Sequence, residues 1–304
     1  MSLGVGVAHG KTILFGEHAV VHGHPALAAG IERGVVVEVL EDASGPVMEV
    51  DPWQLEARPS GDRTVDLALR QFLAARDLGA SPIRLRATSD VPLGAGLGSS
   101  AALFVAAARA LGQMMGEETS CEKVAEWATV AEEVFHRNPS GVDVAATSKG
   151  GLGWFTRAEG WQPAALPRPL TLVIGREPGR RQTGQVVEMV GSRLREAPER
   201  VHGIFREIHQ VATQAREAFA TYDLPRIGAL MNRNHSMLAE LGVSSPGLDR
   251  LCSVALEAGS LGAKLTGAGG GGSVIALAPG REREVIQAWH AIGREAFTAE
   301  VRAS

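Results

Sequence analysis

Residues with the types and spacing for phosphate chemistry fall in a few short segments. Glycines alternate through Pro92-Leu-Gly-Ala-Gly-Leu-Gly-Ser-Ser-Ala-Ala102, at Gly94, Gly96 and Gly98, and the run ends in the apolar stretch Leu103–Leu111. Glycine lets backbone N–H groups approach an anion closely, and a helix that starts there adds the positive end of its dipole. Ser99 and Ser100 stand where that helix begins. A serine there either caps the helix or offers its hydroxyl to a phosphate-bound Mg²⁺.

A second segment runs from Glu132 to Asp143 and holds the sharp turn Asn138-Pro-Ser-Gly141. Two acids on either side of a reversal can meet, one holding a metal and the other accepting a proton; the alternative is a helix-surface Glu and a capping Asp. A third segment, Lys264-Leu-Thr-Gly-Ala-Gly-Gly-Gly-Gly-Ser273, packs five glycines into Gly267–Gly272 around Ala268. Strand-like sequence on both sides favours a tight functional loop over a flexible tether.

The fourth segment is Gly10-Lys-Thr-Ile-Leu-Phe-Gly-Glu-His-Ala-Val-Val-His-Gly-His-Pro25. It is not a P-loop. That motif needs a glycine at position 5, which is Val5, and a helix after the lysine, where Thr12–Phe15 reads as strand. Lys11, one of four lysines in the chain, is either a solvated strand end or a point charge aimed into a site. His18, His22 and His24 suggest zinc, but Gly23 and Pro25 break any helix that would align them and no second ligand cluster follows. A polar turn that contacts a small substrate is the favoured reading.

The elements that must carry these segments are mixed. Strands are expected at Thr12–Phe15, Gly34–Leu40, Ile83–Ala87, Leu170–Ile174, Ala263–Thr266, Ser273–Leu277 and near Phe297–Val301. Helices are expected over Asp62–Leu78, from Ser99 through the apolar run to Leu111, and over Glu122–Phe135, Val142–Ser148, Pro198–Tyr222, Ile227–Leu241, Ser245–Ala258 and Glu282–Gly293. In the Pro198–Tyr222 segment, Val201, Ile204, Phe205, Ile208, Val211, Ala215 and Phe219 form one core-facing stripe. Strict βαβ alternation is lacking, so the fold class is α+β rather than a doubly wound sheet. A shift to Gly and Pro between Gly150 and Pro169 marks a boundary, giving domains 1–163 and 164–304.

Composition narrows the function. With 304 residues, 45% hydrophobic, the chain can bury a substantial core. At a net charge of −4, and with no face or tail that collects Lys and Arg, it excludes a nucleic-acid footprint. No apolar stretch is long enough for a membrane span, no signal peptide is evident, and Cys121 and Cys252 form no C-x-x-C, so a reduced, cytoplasmic setting is expected.

Together these segments resemble the three motifs of the GHMP kinase superfamily, and most closely those of its mevalonate kinases. GKTILFGEHAVVHG (Gly10–Gly23), PLGAGLGSSA (Pro92–Ala101), NPSGVD (Asn138–Asp143) and KLTGAGGGG (Lys264–Gly272) occur in the family's order. The E-H-T-D-Y of galactokinases is missing. The resemblance implies a two-domain fold, with an N-terminal domain like domain 2 of ribosomal protein S5, a ferredoxin-like C-terminal domain, and ATP and substrate in the cleft between them. It implies ATP-dependent phosphorylation of mevalonate to 5-phosphomevalonate, in the route to isoprenoids. Gly94, Gly96, Leu97, Gly98, Ser99 and Ser100 would cradle the ATP phosphates, with Gly267, Ala268, Gly269 and Gly270 closing a further side. Ser100 and Glu132 would hold Mg²⁺. Asp143 would take the proton from the acceptor hydroxyl, and Lys11 would pair with it and stabilise charge. Glu17, His18 and Thr183 would lie near substrate. A homodimer is a further implication. Two other readings stand beside this one. Arg33, Arg137, Arg180 and Arg181 would suit a phosphorylated acceptor such as phosphomevalonate, as a sugar kinase would suit another alcohol. A catalytically silent, nucleotide-binding relative would be expected to lose Lys11, Glu132 or Asp143, all of which are present.

Overall fold

The structure, a computed structural model, describes residues 2–136, 139–178 and 183–303, with the side chain of Thr183 outside that set. Arg137, Asn138, Arg180 and Arg181 lie outside the described residues. The chain forms two compact units: Met1–Gly10, Arg33–Leu93 and Gly98–Gly150 make the first, and Lys11–Glu32, Gly94–Leu97 and Gly151–Ser304 the second. Strands β1 (Ser2–Phe15) and β2 (Ala26–Glu41) therefore each contribute to both.

In the first unit the later half of β2 pairs antiparallel with β5 (Ile83–Ser89), with Val37 opposite Ala87. β5 pairs in parallel with β3 (Val47–Val50), which pairs antiparallel with β4 (Leu55–Ala57). On β5, Ile83, Leu85 and Ala87 are buried while Arg84 and Arg86 are not, the alternation the sequence predicts. Helices α1 (Thr64–Ala74), α2 (Ser99–Met114), α3 (Cys121–Phe135) and α4 (Val142–Lys149) complete the unit. Phe72 on α1 stacks on Trp127 of α3 with centroids 4.8 Å apart and meets Phe104 of α2 edge-on at 5.0 Å. The Trp127 indole N–H donates to the Phe72 carbonyl at 2.7 Å, so the buried ring leaves no polar atom unsatisfied. Twelve of the sixteen residues of α2 are buried, and β1 lies directly against the helix. A Cβ on Gly4 would sit 2.2 Å from the Ala110 carbonyl oxygen, and one on Gly6 2.0 Å from that of Ala106.

In the second unit a four-stranded antiparallel sheet runs in the order β11-β8-β10-β9 (Ala296–Val301, Leu170–Glu177, Gly272–Leu277 and Gly262–Thr266). Its other elements include α5 (Thr183–Glu196), α6 (Pro198–Ala220), α7 (Leu224–Glu240), α8 (Pro246–Glu257) and α9 (Glu282–Ala291). The predicted stripe of α6 is buried from Val201 to Phe219. α7 packs on α6 and β9, and α8 on β9. The Gly-rich stretch expected to mark a boundary is ordered: β6 (Leu152–Thr156) pairs with the start of β2 and with β7 (Gly160–Pro163). Among the described residues no helix is long and apolar enough to cross a membrane.

Candidate active site

The phosphate-loop candidate has the backbone that its glycines foretell. Gly94, Gly96 and Gly98 have φ of 71°, 78° and 71°, the left-handed region that side chains disfavour. Gly98 is the N-cap of α2, and no side chain caps the helix, so the serine-cap reading of Ser99 and Ser100 fails. The first turn of α2 carries no acid, which leaves its N-terminal amides facing no carboxylate of their own helix. Ser99 is buried as the first helical residue and Ser100 half-buried as the second.

Two acids stand on the helices that pack against α2. Glu132, in the last turn of α3, is 2% exposed, and its Oε2 lies 3.8 Å from His136 Nε2. Asp143 is half-buried in the first turn of α4, behind Gly141 at φ 84°, a left-handed cap that ends the reversal. Because α2, α3 and α4 pack on one another, Ser99, Ser100, Glu132 and Asp143 all belong to one three-helix cluster.

The second unit gathers the remaining segments. The Lys11 amide donates to the Leu97 carbonyl at 2.9 Å, and Ser273 Oγ donates to the Ala95 carbonyl at 2.8 Å. Thr12 and Thr266 share a hydroxyl contact of 3.1 Å, and Thr266 Oγ1 both accepts from the Ile13 amide at 3.1 Å and donates to the Ile13 carbonyl at 2.9 Å. Lys11 is 3% exposed. Glu17 is fully buried. One carboxylate oxygen takes a hydrogen bond from Lys264 Nζ, and the other accepts from Asn234 Nδ2 at 3.3 Å. Lys264 Nζ also donates to the Leu265 carbonyl at 2.7 Å. Burial drives the Glu17 carboxyl above its ordinary pKa and the Lys264 ammonium below its own, and their mutual attraction opposes both shifts. The motif glycines and acids were legible in sequence; Lys264 and Asn234 as partners of Glu17 were not, since they lie more than 200 residues away.

The three histidines weighed for zinc do not converge. His18, itself in the left-handed region at φ 61°, places Nε2 2.9 Å from the Ala268 carbonyl oxygen, while His22 and His24 turn to α6. Among the described residues no group of three or more His, Cys, Asp or Glu side chains is arranged to hold a metal. Gly267, Gly269 and Gly270 have φ of 82°, 76° and 67°. A Cβ on Gly269 would stand 2.0 Å from the Val243 carbonyl oxygen, and one on Gly270 2.6 Å from Val186 Cγ2 on α5, so the loop is tight rather than a tether. Thr183 opens α5.

Comparison with known proteins identifies the family. The GHMP kinases N terminal domain matches residues 63–151, and the GHMP kinases C terminal domain matches residues 215–295. The chain is 35% identical to a mevalonate kinase of Pyrococcus horikoshii, over 92% of this chain and 90% of that one. It is 36% identical to a mevalonate kinase of Aeropyrum pernix, over 97% and 94%. Among solved structures it is similar to L. major mevalonate kinase in complex with R-mevalonate, with a TM-score of 0.87, 29% identity, and 99% and 96% of the two chains covered.

Proposed function

The chain belongs to the GHMP kinases, in the mevalonate kinase family, and on that premise we propose that it transfers the γ-phosphoryl group of ATP to the 5-hydroxyl of mevalonate. The observation that carries this reading is the loop of left-handed Gly94, Gly96 and Gly98 opening directly onto the uncapped, acid-free first turn of α2. Such a loop offers backbone N–H groups and a helix dipole to phosphate oxygens.

Phosphoryl transfer asks little covalent work of a protein; it asks for in-line positioning and neutralised phosphate charge. In the proposed division of labour, Gly94, Gly96, Leu97, Gly98 and Ser99 hold the triphosphate through the backbone and one hydroxyl. Gly267, Ala268, Gly269 and Gly270 supply further backbone contact. Asp143 accepts the proton of the acceptor hydroxyl, and Lys11 contributes positive charge where negative charge accumulates. His18 and Thr183 contact the acceptor, and Glu17, its oxygens engaged by Lys264 and Asn234, fixes the loop that carries His18.

The donor set suits Mg²⁺. Glu132 is a buried carboxylate on the helix beside α2, Ser100 is a hydroxyl in the first turn of α2, and both are the hard oxygen ligands this ion takes while it keeps several waters. When bound, Mg²⁺ would neutralise phosphate charge at Ser100 and Glu132. The proposal includes a cytoplasmic homodimer.

The test is a coupled assay with Mg·ATP across mevalonate, phosphomevalonate, galactose and homoserine. Turnover with mevalonate alone is expected. Turnover with another acceptor overturns the acceptor and keeps the mechanism. No turnover with ATP still bound moves the chain to the silent reading. Asp143→Ala is expected to lower kcat by about 10²–10⁴-fold with nucleotide binding largely intact; retention of most of the rate would remove Asp143 from its role.

A further inference from the structure

Behind His18, the loop meets α6 through histidines that the reaction does not use. His22 ends the short 3-10 helix Ala19–His22, and its ring stacks on Phe205 with centroids 4.7 Å apart and planes 19° from parallel. His202 meets the same Phe205 ring edge-on at 6.3 Å. His24 tilts against Phe205 at 6.1 Å and places its Nδ1 3.3 Å from Nδ1 of His209. His202 and His209 are seven residues apart, which puts both on one face of α6.

We propose that His24 and His209 form a two-imidazole site for a divalent transition-metal ion of the Zn²⁺, Ni²⁺ or Cu²⁺ class, clipping the loop that carries Glu17 and His18 to α6. The separation fits a chelate: two nitrogens bound at 2.0–2.1 Å to one tetrahedral ion stand about 3.3–3.4 Å apart. The same spacing also fits a single N–H···N hydrogen bond between neutral rings, and the ion would replace that shared proton. Imidazole nitrogen selects this class of ion over Mg²⁺, which takes oxygen.

Access favours binding. His209 is exposed and His24 half-exposed, and an open cavity of about 410 Å³ adjoins His209, lined also by Arg206, Gln210, Thr213 and Gln214. Solvent reaching both rings would supply the waters that complete the coordination. Only the neutral ring is a ligand. With two protein ligands the site binds less tightly than a closed four-ligand centre.

The test is titration of the full chain with Zn²⁺ alone, without nucleotide or Mg²⁺, against a chromophoric chelator at pH 7.5. One equivalent is expected to bind. His24→Asn and His209→Asn should each weaken it by about 100-fold, since loss of an outer-shell partner alone costs 10–100-fold. Melting curves in EDTA establish that the variants fold. Zn²⁺ should also shift the imidazole resonances of His24 and His209 in the unaltered protein, a readout independent of any variant. No stoichiometric binding, binding undiminished in either variant, or shifts confined to other histidines overturns the proposal.

Discussion

Glu17 and Lys264 show what a single pair of side chains demands of this molecule. Both are completely buried, and each would be an isolated charge without the other. Desolvation costs several kcal/mol per ion, and here it is offset by the ion pair, the Asn234 amide and the Leu265 carbonyl. Removing one partner leaves the other charged and unmatched. Glu17→Gln and Lys264→Met should therefore each destabilise by about 3–5 kcal/mol, whereas the double variant should recover much of the loss. Urea unfolding of the two single variants and the double completes the cycle. Additive losses would show that the pair does not act as a unit. Residue types and local spacing made the phosphate-loop glycines and the acids at 132 and 143 stand out in the sequence. Nothing local marks Lys264 as the partner of a glutamate 247 residues earlier, because the pairing is created only when β9 packs beside the loop after β1.

At the scale of elements, legibility followed the strength of the periodic signal. α6 was readable because its apolar stripe is long and truly buried. α5 went unread because its stripe of Val186, Met189, Val190 and Leu194 is short and only Val190 of it is fully buried. β3 and β4, of four and three residues, are too short to show alternation. The first half of β1 inverts the usual pattern. Gly4, Gly6 and Ala8 face inward, and Leu3, Val5 and Val7 outward, because only small residues let the strand lie on the α2 backbone. α1 was read as starting at Asp62; it starts at Thr64, behind a cap made by Asp66. The Asp66 carboxylate accepts from the Arg58 amide at 3.0 Å, the Arg63 amide at 3.1 Å and Arg63 Nε at 2.8 Å. These bonds, the Arg63 side chain foremost, hold its pKa below the ordinary 3.8. A depressed carboxyl contributes stability that is fully present above its unfolded pKa and is lost as pH falls through the folded value. Asp66→Asn should therefore lower the urea midpoint at pH 7, and its deficit relative to the unaltered protein should shrink as pH falls below 3.8. A deficit that stays constant down to pH 2 would mean that the charge on Asp66 contributes nothing.

At the scale of the molecule, the second unit is discontinuous in sequence. It takes Lys11–Glu32 and Gly94–Leu97 from the first third of the chain and the rest from Gly151 onward. The early pieces supply interior parts, not decoration. Thr12 and Ile13 hydrogen-bond Thr266, Glu17 neutralises Lys264, Ala26–Ala29 of β2 pair with Leu152–Phe155 of β6, and the Ala95 carbonyl satisfies Ser273. A fragment spanning 151–304 keeps the sheet β11-β8-β10-β9 and its helices, yet it strands Lys264 as a buried cation and leaves one edge of β6 unpaired. The stranded cation alone costs free energy comparable to a large share of a domain's net stability, which is only about 5–15 kcal/mol. Expressed alone, the fragment should show no cooperative urea transition and poor amide dispersion in NMR. In the same fragment Lys264→Met should restore part of the cooperativity, because it removes the stranded charge without asking for the missing strand. A sharp transition in the unaltered fragment, at the midpoint of the full chain, would show that the contacts from residues 11–32 are dispensable for folding. It would move their importance entirely to the chemistry of the loop that carries Glu17 and His18.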